Sequence, residues 1–221
     1  MKNLIFLLLF IMALLFVASG CKKSKEDAEP DYTPLFKNTT WSGEFIETGG
    51  KLQQPYVISF KDDGTLTFLH GILIPETGTW KIEKKQLIIE LPKVTLKTNI
   101  TGERFTNIQC SDPNRLFRYL ELNKVADQVL DGTIWQGLYD GVGGNPALHF
   151  FPGKKVLIDG GSYSGGITYT YSRTSAMFYY GYHYNGIYYF YYAAIMADNT
   201  IRGIRFIGLK EEITFTLKII P

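Results

Sequence analysis

Asn38-Thr39-Thr40-Trp41-Ser42-Gly43-Glu44-Phe45 returns later in the chain as Gly132-Thr133-Ile134-Trp135-Gln136-Gly137-Leu138-Tyr139. In both places a Trp is followed two residues on by a Gly, at the head of an alternating run that reads as a strand. Further matches keep the same order. Phe60, Leu66 and Phe68 line up with Phe150, Val156 and Ile158 at a constant offset of 90, and Ile100-Thr101-Gly102-Glu103-Arg104-Phe105 shares I-x-G-x-R-F with Ile201-Arg202-Gly203-Ile204-Arg205-Phe206. Both copies finish in an aromatic strand, Leu116 to Leu122 and Ile213 to Ile219. One W-x-G pair is within the reach of chance; the ordered set marks an internal duplication.

Each copy reads as short strands with turn punctuation. In the first, Trp41 to Thr48 runs into Gly49-Gly50, and Tyr56 to Lys61 meets the hairpin signal Asp62-Asp63-Gly64 before Thr65 to His70. Gly78 to Glu83, Gln86 to Leu91, Val94 to Ile100, Glu103 to Cys110 and Leu116 to Leu122 complete it. The second copy runs Ile134 to Tyr139, Leu148 to Phe151, Lys155 to Asp159, Ile167 to Arg173, Ala176 to Tyr182, Ile187 to Ala193, Thr200 to Ile207 and Glu212 to Ile219. Asn185-Gly186 is the strongest hairpin signal, because a type I′ turn needs positive φ at both central positions. Strands arriving every ten or so residues imply an antiparallel meander. A meander of eight strands disposes of its edges by closing into a barrel. The predicted fold is all-β: two tandem antiparallel meander modules of about eight short strands each, over residues 35–126 and 127–221.

A short meander opened by a Trp beside a Gly and ended near an Arg-bearing strand resembles the lipocalin-like (calycin) barrels, short versions of which occur in tandem in surface lipoproteins. In that family the first-strand Trp packs under a late-strand Arg and closes one barrel end. The resemblance therefore implies that Trp41 meets Arg104 and Trp135 meets Arg205, each a cation–π contact worth about 0.5–2 kcal/mol. The chain departs from the family in having W-x-G where true lipocalins have G-x-W, and in placing its Arg on the penultimate strand of much shorter copies.

The first residues carry an address. Lys2 precedes an unbroken apolar run from Leu4 to Val17, followed by the small residues Ala18-Ser19-Gly20 and then Cys21. That order is a secretory signal peptide over residues 1–20, and the run falls short of the roughly 20 residues that span a bilayer. The Ala-Ser-Gly-Cys ending is similar to the lipobox of bacterial lipoproteins, with Ala18 where that family most often has Leu. The resemblance implies a diacylated Cys21, carrying palmitate-type chains, as a membrane anchor. Residues 21–34 then read as a flexible tether. Lys22 to Pro34 is charged, holds two prolines and cannot bury enough surface to offset the entropy of ordering. Its 13 residues reach about 40 Å when extended at roughly 3.3 Å each. Lys22 stands where inner-membrane retention in enteric-type lipoproteins calls for Asp, which implies the outer membrane of a Gram-negative cell, on its periplasmic or its surface side.

Composition excludes some partners. The formal charge of +2 becomes +1 once Lys2 leaves with the signal peptide, so there is no electrostatic case for nucleic acid. Acylation of Cys21 leaves Cys110 without a disulfide partner, expected as a small buried thiol. His70, His149 and His183 are scattered outside any metal-ligand spacing and are expected to serve in packing. Asp62-Asp63-Gly64 lacks the remaining ligands of a calcium loop. No G-x-S-x-G or Gly-rich phosphate loop occurs, and a carboxylate pair for glycoside hydrolysis leaves no linear trace. No catalytic residue, metal or cofactor is expected.

Tyrosine is the remaining signal. Eleven of the fifteen fall between Tyr163 and Tyr192. From Met177 to Tyr192 both faces of the strands are aromatic. One face fills a barrel; the other needs a cover, because large apolar patches mark interaction sites. Three covers are open: the first module, a small apolar or glycan-like ligand, or an envelope protein partner. The candidate surface is Tyr179, Tyr180, Tyr182, Tyr184, Tyr188, Tyr189, Tyr191 and Tyr192, with most of them expected to be packed and those beside Asn185-Gly186 exposed. The leading expectation is a non-enzymatic, lipid-anchored envelope protein that binds such a ligand through a β-barrel module. The alternative is a structural or interaction lipoprotein of an outer-membrane complex without a small ligand. A lumen cavity of about 300 Å³ or more favours the first, a lumen filled by side chains the second.

Overall fold

A computed structural model describes residues 30–50, 52–71, 75–140, 145–159, 168–208 and 210–221. The expected signal peptide, Cys21, the expected tether up to residue 29 and Ile167 lie outside the described residues.

The first copy forms one antiparallel sheet of β1 (Thr40–Glu47), β2 (Gln54–Phe60), β3 (Thr65–His70), β4 (Glu76–Glu83), β5 (Gln86–Glu90), β6 (Thr95–Asn99), β7 (Arg104–Phe105), β8 (Gln109–Cys110) and β9 (Arg115–Leu122). The second forms another, of β10 (Ile134–Tyr139), β11 (Ala147–Phe151), β12 (Lys155–Asp159), β13 (Thr168–Thr170), β14 (Ser172–Thr174), β15 (Met177–Tyr184), β16 (Ile187–Ile195), β17 (Thr200–Ile207) and β18 (Lys210–Ile220). The fold is all-β, and each sheet curls into a half-barrel.

A flat meander would leave its first and last strands on opposite edges. Here β9 pairs with β1 and β18 pairs with β10, so each sheet bends round until its end meets its beginning. The edges that remain are two pieces of one broken strand. In the first sheet β7 pairs with β9 and β8 with β6; in the second β13 pairs with β12 and β14 with β15. The break falls in the seventh strand of the first ring and in the fourth strand of the second.

The repeated motif explains the closure. Trp41 lies opposite Ile58 and Leu122, and Trp135 opposite Leu148 and Ile219. Ile58 pairs on to Phe68 and Phe60 to Leu66; their counterparts pair the same way, Leu148 to Ile158 and Phe150 to Val156. Both indoles are fully buried. Each indole N–H donates to the threonine hydroxyl two residues back, Thr39 at 3.0 Å and Thr133 at 2.8 Å. Each of those hydroxyls donates in turn to the carbonyl three residues earlier, Phe36 at 2.7 Å and Leu130 at 2.5 Å. A buried indole N–H thus never lacks an acceptor. The glycines supply the other half of the motif. A Cβ on Gly43 would stand 2.0 Å from the Tyr119 carbonyl oxygen, and one on Gly137 1.8 Å from that of Thr216. Only a residue without a side chain lets the first strand lie against the last at this distance.

The I-x-G-x-R-F match does not survive as geometry. Phe105 turns inward and stacks on Trp41 at 5.1 Å, which leaves Arg104 outside, on Glu121. In the second copy a bulge between Arg205 and Phe206 shifts the pairing with β18. Arg205 lies opposite Tyr191, on the inner face, and Phe206 packs outward on Tyr192 at 5.7 Å.

The lumen of the first sheet is filled by a stack of rings. Phe36 sits between Trp41 and Trp80, at 5.1 and 5.8 Å, and Phe45, Tyr56, Phe68 and Phe117 pack at 5.1–6.3 Å beyond. In the second, Phe150, Tyr171 and Phe178 meet edge to face at 5.3–6.1 Å. The two sheets also share one core, because Val57 and Leu69, buried on the outer face of the first, pack with Tyr192, Ala194 and Ile204 of the second.

We expect Gly43→Ala and Gly137→Ala each to destabilise the protein by about 1–3 kcal/mol through overpacking. Unobstructed strand glycines usually gain about 0.5–1 kcal/mol from the same change. Chemical denaturation of the two variants checks this.

Candidate functional site

The tyrosine-rich strands divide by face. Tyr180 lies opposite Tyr191 and Tyr182 opposite Tyr189, all directed into the second lumen. Their rings stack in pairs at 4.7 and 5.1 Å, and the Tyr182 and Tyr191 hydroxyls stand 3.4 Å apart. Burial pushes the Tyr180 and Tyr191 phenols well above their ordinary range, so both stay protonated. The other face carries Met177, Tyr179, His183, Tyr188, Phe190 and Tyr192, and here the cover is the first module. Tyr192 is fully buried, and its hydroxyl donates to Gln54 Oε1 at 3.0 Å.

The candidate surface therefore shrinks. Tyr180, Tyr189, Tyr191 and Tyr192 are buried and form no surface. Tyr179 and Tyr182 are half-buried, and the Tyr184 side chain lies outside the described residues. Tyr188 keeps 40% of its surface exposed and its neighbour Ile187 43%. Both flank the Asn185-Gly186 turn, whose φ values of 49° and 77° are the two positive angles of a type I′ hairpin. The Tyr188 ring lies 4.8 Å from His183, which is also exposed, and covers Gly181, where a Cβ would meet the Tyr188 hydroxyl at 2.4 Å. What projects from the second sheet is thus an aromatic hairpin tip.

The barrel-closing pairs expected from the resemblance are replaced. Arg104 stacks on Tyr119 at 4.7 Å and Arg205 on Tyr139 at 4.8 Å, not on Trp41 or Trp135. For Arg104 the reason is alternation, since Phe105 takes the inward place on Trp41. For Arg205 the reason is distance: Tyr139 is four residues beyond Trp135 along β10, about 13 Å at 3.3 Å per residue.

Residues with no linear signal hold the two sheets together. Arg202 Nη1 donates to Glu44 Oε2 at 2.8 Å and to the Tyr119 hydroxyl at 2.9 Å, while Nη2 meets Asp198. Burial alone would lower the Arg202 pKa, but Glu44, Tyr119 and Asp198 outweigh it and raise it. The connection between the sheets is fixed as well. Arg173 donates to the Ala126 and Gln128 carbonyls at 2.6 and 2.7 Å, and Asn123 Nδ2 donates to the Ile195 carbonyl at 2.6 Å. Beside the Glu44–Arg202 pair opens a cleft of about 600 Å³ lined by both modules.

The remaining candidates have structural settings. His70 packs on Phe68 at 5.0 Å and Phe45 at 5.6 Å, 3.3 Å from Glu76; burial lowers its pKa despite that carboxylate. Asp63 accepts from the Thr65 amide and hydroxyl at 2.9 and 2.6 Å, which lowers its pKa and shapes the β2–β3 turn. Cys110 is a half-buried free thiol, pushed up in pKa by burial. Among the described residues no three His, Cys, Asp or Glu side chains converge as metal ligands, and no helix is long and apolar enough to cross a membrane. No protein-family model matches the chain, and no curated protein or solved structure shows significant similarity to it.

Tyr192→Ser should cost roughly 3–5 kcal/mol, as for truncation of other buried aromatics. Tyr188→Ser at the hairpin tip should cost less than about 1 kcal/mol. Urea denaturation of both distinguishes the covered tyrosines from the exposed one.

Proposed function

We propose that the chain is a lipid-anchored, non-enzymatic protein of the Gram-negative cell envelope that acts by presenting a surface to another envelope component. Its two lipocalin-like modules are the scaffold for that surface. The observation that favours this reading over a ligand held in a barrel is the filling of both interiors by the protein's own rings, with Phe36, Trp41 and Trp80 in one and Phe150, Tyr171 and Phe178 in the other. A small apolar or glycan ligand in either lumen would have to displace these side chains. The hairpin tip of Ile187 and Tyr188 offers what an interaction surface needs, since exposed aromatic groups on a rigid support are common anchors at interface centres. The lipid anchor rests on the signal peptide and Cys21, and the outer membrane on Lys22.

The anchor is tested by Cys21→Ala. The variant is expected in the soluble fraction, because the mature chain has no second apolar run that would hold it in a bilayer; retention in salt-washed membranes would refute the anchor. The surface is tested by site-specific photo-cross-linking from position 187 in the full-length, lipidated protein in native membranes. A discrete heavier species is expected, and Tyr188→Ser should remove most of it at unchanged melting temperature. Cross-linking that is diffuse, or indifferent to Tyr188, would overturn the interaction reading.

A further inference from the structure

The cleft between the modules has a chemistry of its own, apart from the hairpin tip and outside both lumina. Its floor is the outer face of β17 and β18, with Arg202, Thr214 and Thr216; Asp140 follows β10 on one side, and Glu44, Leu52 and Gln53 of the first module form the other. At about 600 Å³ it falls within the range of small-molecule sites. Strand spacing sets its width. Arg202 lies opposite Thr216, and the Asp140 amide donates to the Thr214 carbonyl at 2.9 Å, so β18 stands between the two. Two strand spacings put their backbones roughly 10 Å apart, too far for their side chains to be joined by a single water.

The groups left unpaired decide what fits. Arg202 is the one cation among the described lining residues, and its Nη atoms are committed to buried Glu44, to the Tyr119 hydroxyl and, outside the cleft, to Asp198. Those two carboxylates neutralise the guanidinium and remove its attraction for an anion. Arg202 Nε is different: it is buried with no hydrogen-bond partner, and a buried donor left so is costly. It calls for an acceptor, which an ammonium group cannot supply. The Thr216 hydroxyl and the Gln53 amide, each able to donate and accept, make no side-chain hydrogen bond among the described residues. Asp140 is exposed, accepts from the Thr214 hydroxyl and makes no ion pair among the described residues, so its carboxylate has acceptor sites to spare. The unused set is thus one donor, one acceptor and two groups of both kinds. Hydroxyl groups match all four, because each of them both donates and accepts.

We propose that the cleft binds a neutral carbohydrate. One hydroxyl oxygen of the sugar accepts from Arg202 Nε, a second hydroxyl donates to Asp140, and the ring lies over Thr216 with Gln53 beside it. The Arg202 side chain keeps 25% of its surface exposed, so a turn of its stem presents Nε to the bound oxygen. This goes beyond the interaction reading and does not depend on it: loss of cross-linking at the hairpin leaves the cleft intact, and failure of sugar binding leaves the hairpin untouched.

The test is an NMR titration of the full-length protein, in a detergent without a sugar headgroup, with glucose, galactose, mannose and N-acetylglucosamine, and with glucuronate and glucosamine as charged counterparts. At least one neutral sugar is expected to bind saturably below about 10 mM and to shift the Nε–H resonance of Arg202. Thr216→Val keeps the shape of the floor and removes its free hydroxyl, and Asp140→Ala removes the exposed carboxylate. Each is expected to weaken that sugar on the order of tenfold at unchanged melting temperature. Tenfold tighter binding of glucuronate or glucosamine than of any neutral sugar would make the cleft a site for ions. That result, no saturable shift from any of the four neutral sugars, or affinity indifferent to both substitutions would overturn the proposal.

Discussion

Closure of each sheet depends on the contact between its first and last strands, and that contact depends on a glycine. With Gly43 the β1 backbone comes so near β9 that a methyl group would overlap the Tyr119 carbonyl, and Gly137 stands in the same relation to β18. Two residues earlier, the indole fills the space that closure creates. Its N–H is satisfied by a threonine of its own strand segment, so no partner from elsewhere is required. The motif is local, which is why it could be copied whole: support, plug and close approach all lie within residues 36–43 and again within 130–137.

With each sheet curled on itself, burial moves to the outer faces. An outer face that carries Met177, Tyr192 and Ile204 cannot remain in water without cost, and the first module covers it. Several of the polar groups caught in this seam find partners, although Arg202 Nε does not. Glu44 and Arg202 neutralise each other, Ser42 accepts from the Ala197 amide at 3.2 Å, and Tyr192 finds Gln54. Arg173 fixes the connecting segment by donating to its Ala126 and Gln128 carbonyls, and Asn123 of that segment donates to the Ile195 carbonyl. The modules consequently present themselves as a single compact unit over Tyr32–Pro221.

The all-β class, the duplication and the positions of most strands were legible because each rests on local pattern: alternation, turn residues and the recurring W-x-G. The Asn185-Gly186 hairpin was readable for the same reason. The ring contacts of the arginines were not, since I-x-G-x-R-F is the same string of letters in both copies while it meets the last strand at different places, Arg104 opposite Glu121 and Arg205 opposite Ile213, with its arginine outside in one copy and inside in the other. Nor could spacing show which tyrosines would be covered. Tyr188 and Tyr192 share one face of one strand, and only the placement of the first module separates an exposed ring from a buried one. Glu44 and Arg202 are 158 positions apart in the chain; no window of sequence contains both.

The broken strand of each ring has a bearing on how the protein behaves in company. Sheet edges invite pairing with neighbouring chains, and short edges resist it. Here the exposed edges are two residues each in β7 and β8 and three each in β13 and β14. None of these four pieces is by itself long enough to give a foreign strand a cooperative ladder. Because the gap falls at the seventh position in one ring and the fourth in the other, an orphaned strand from one half meets no matching vacancy in its twin. The offset works against the hazard that tandem copies carry, the exchange of strands between like halves.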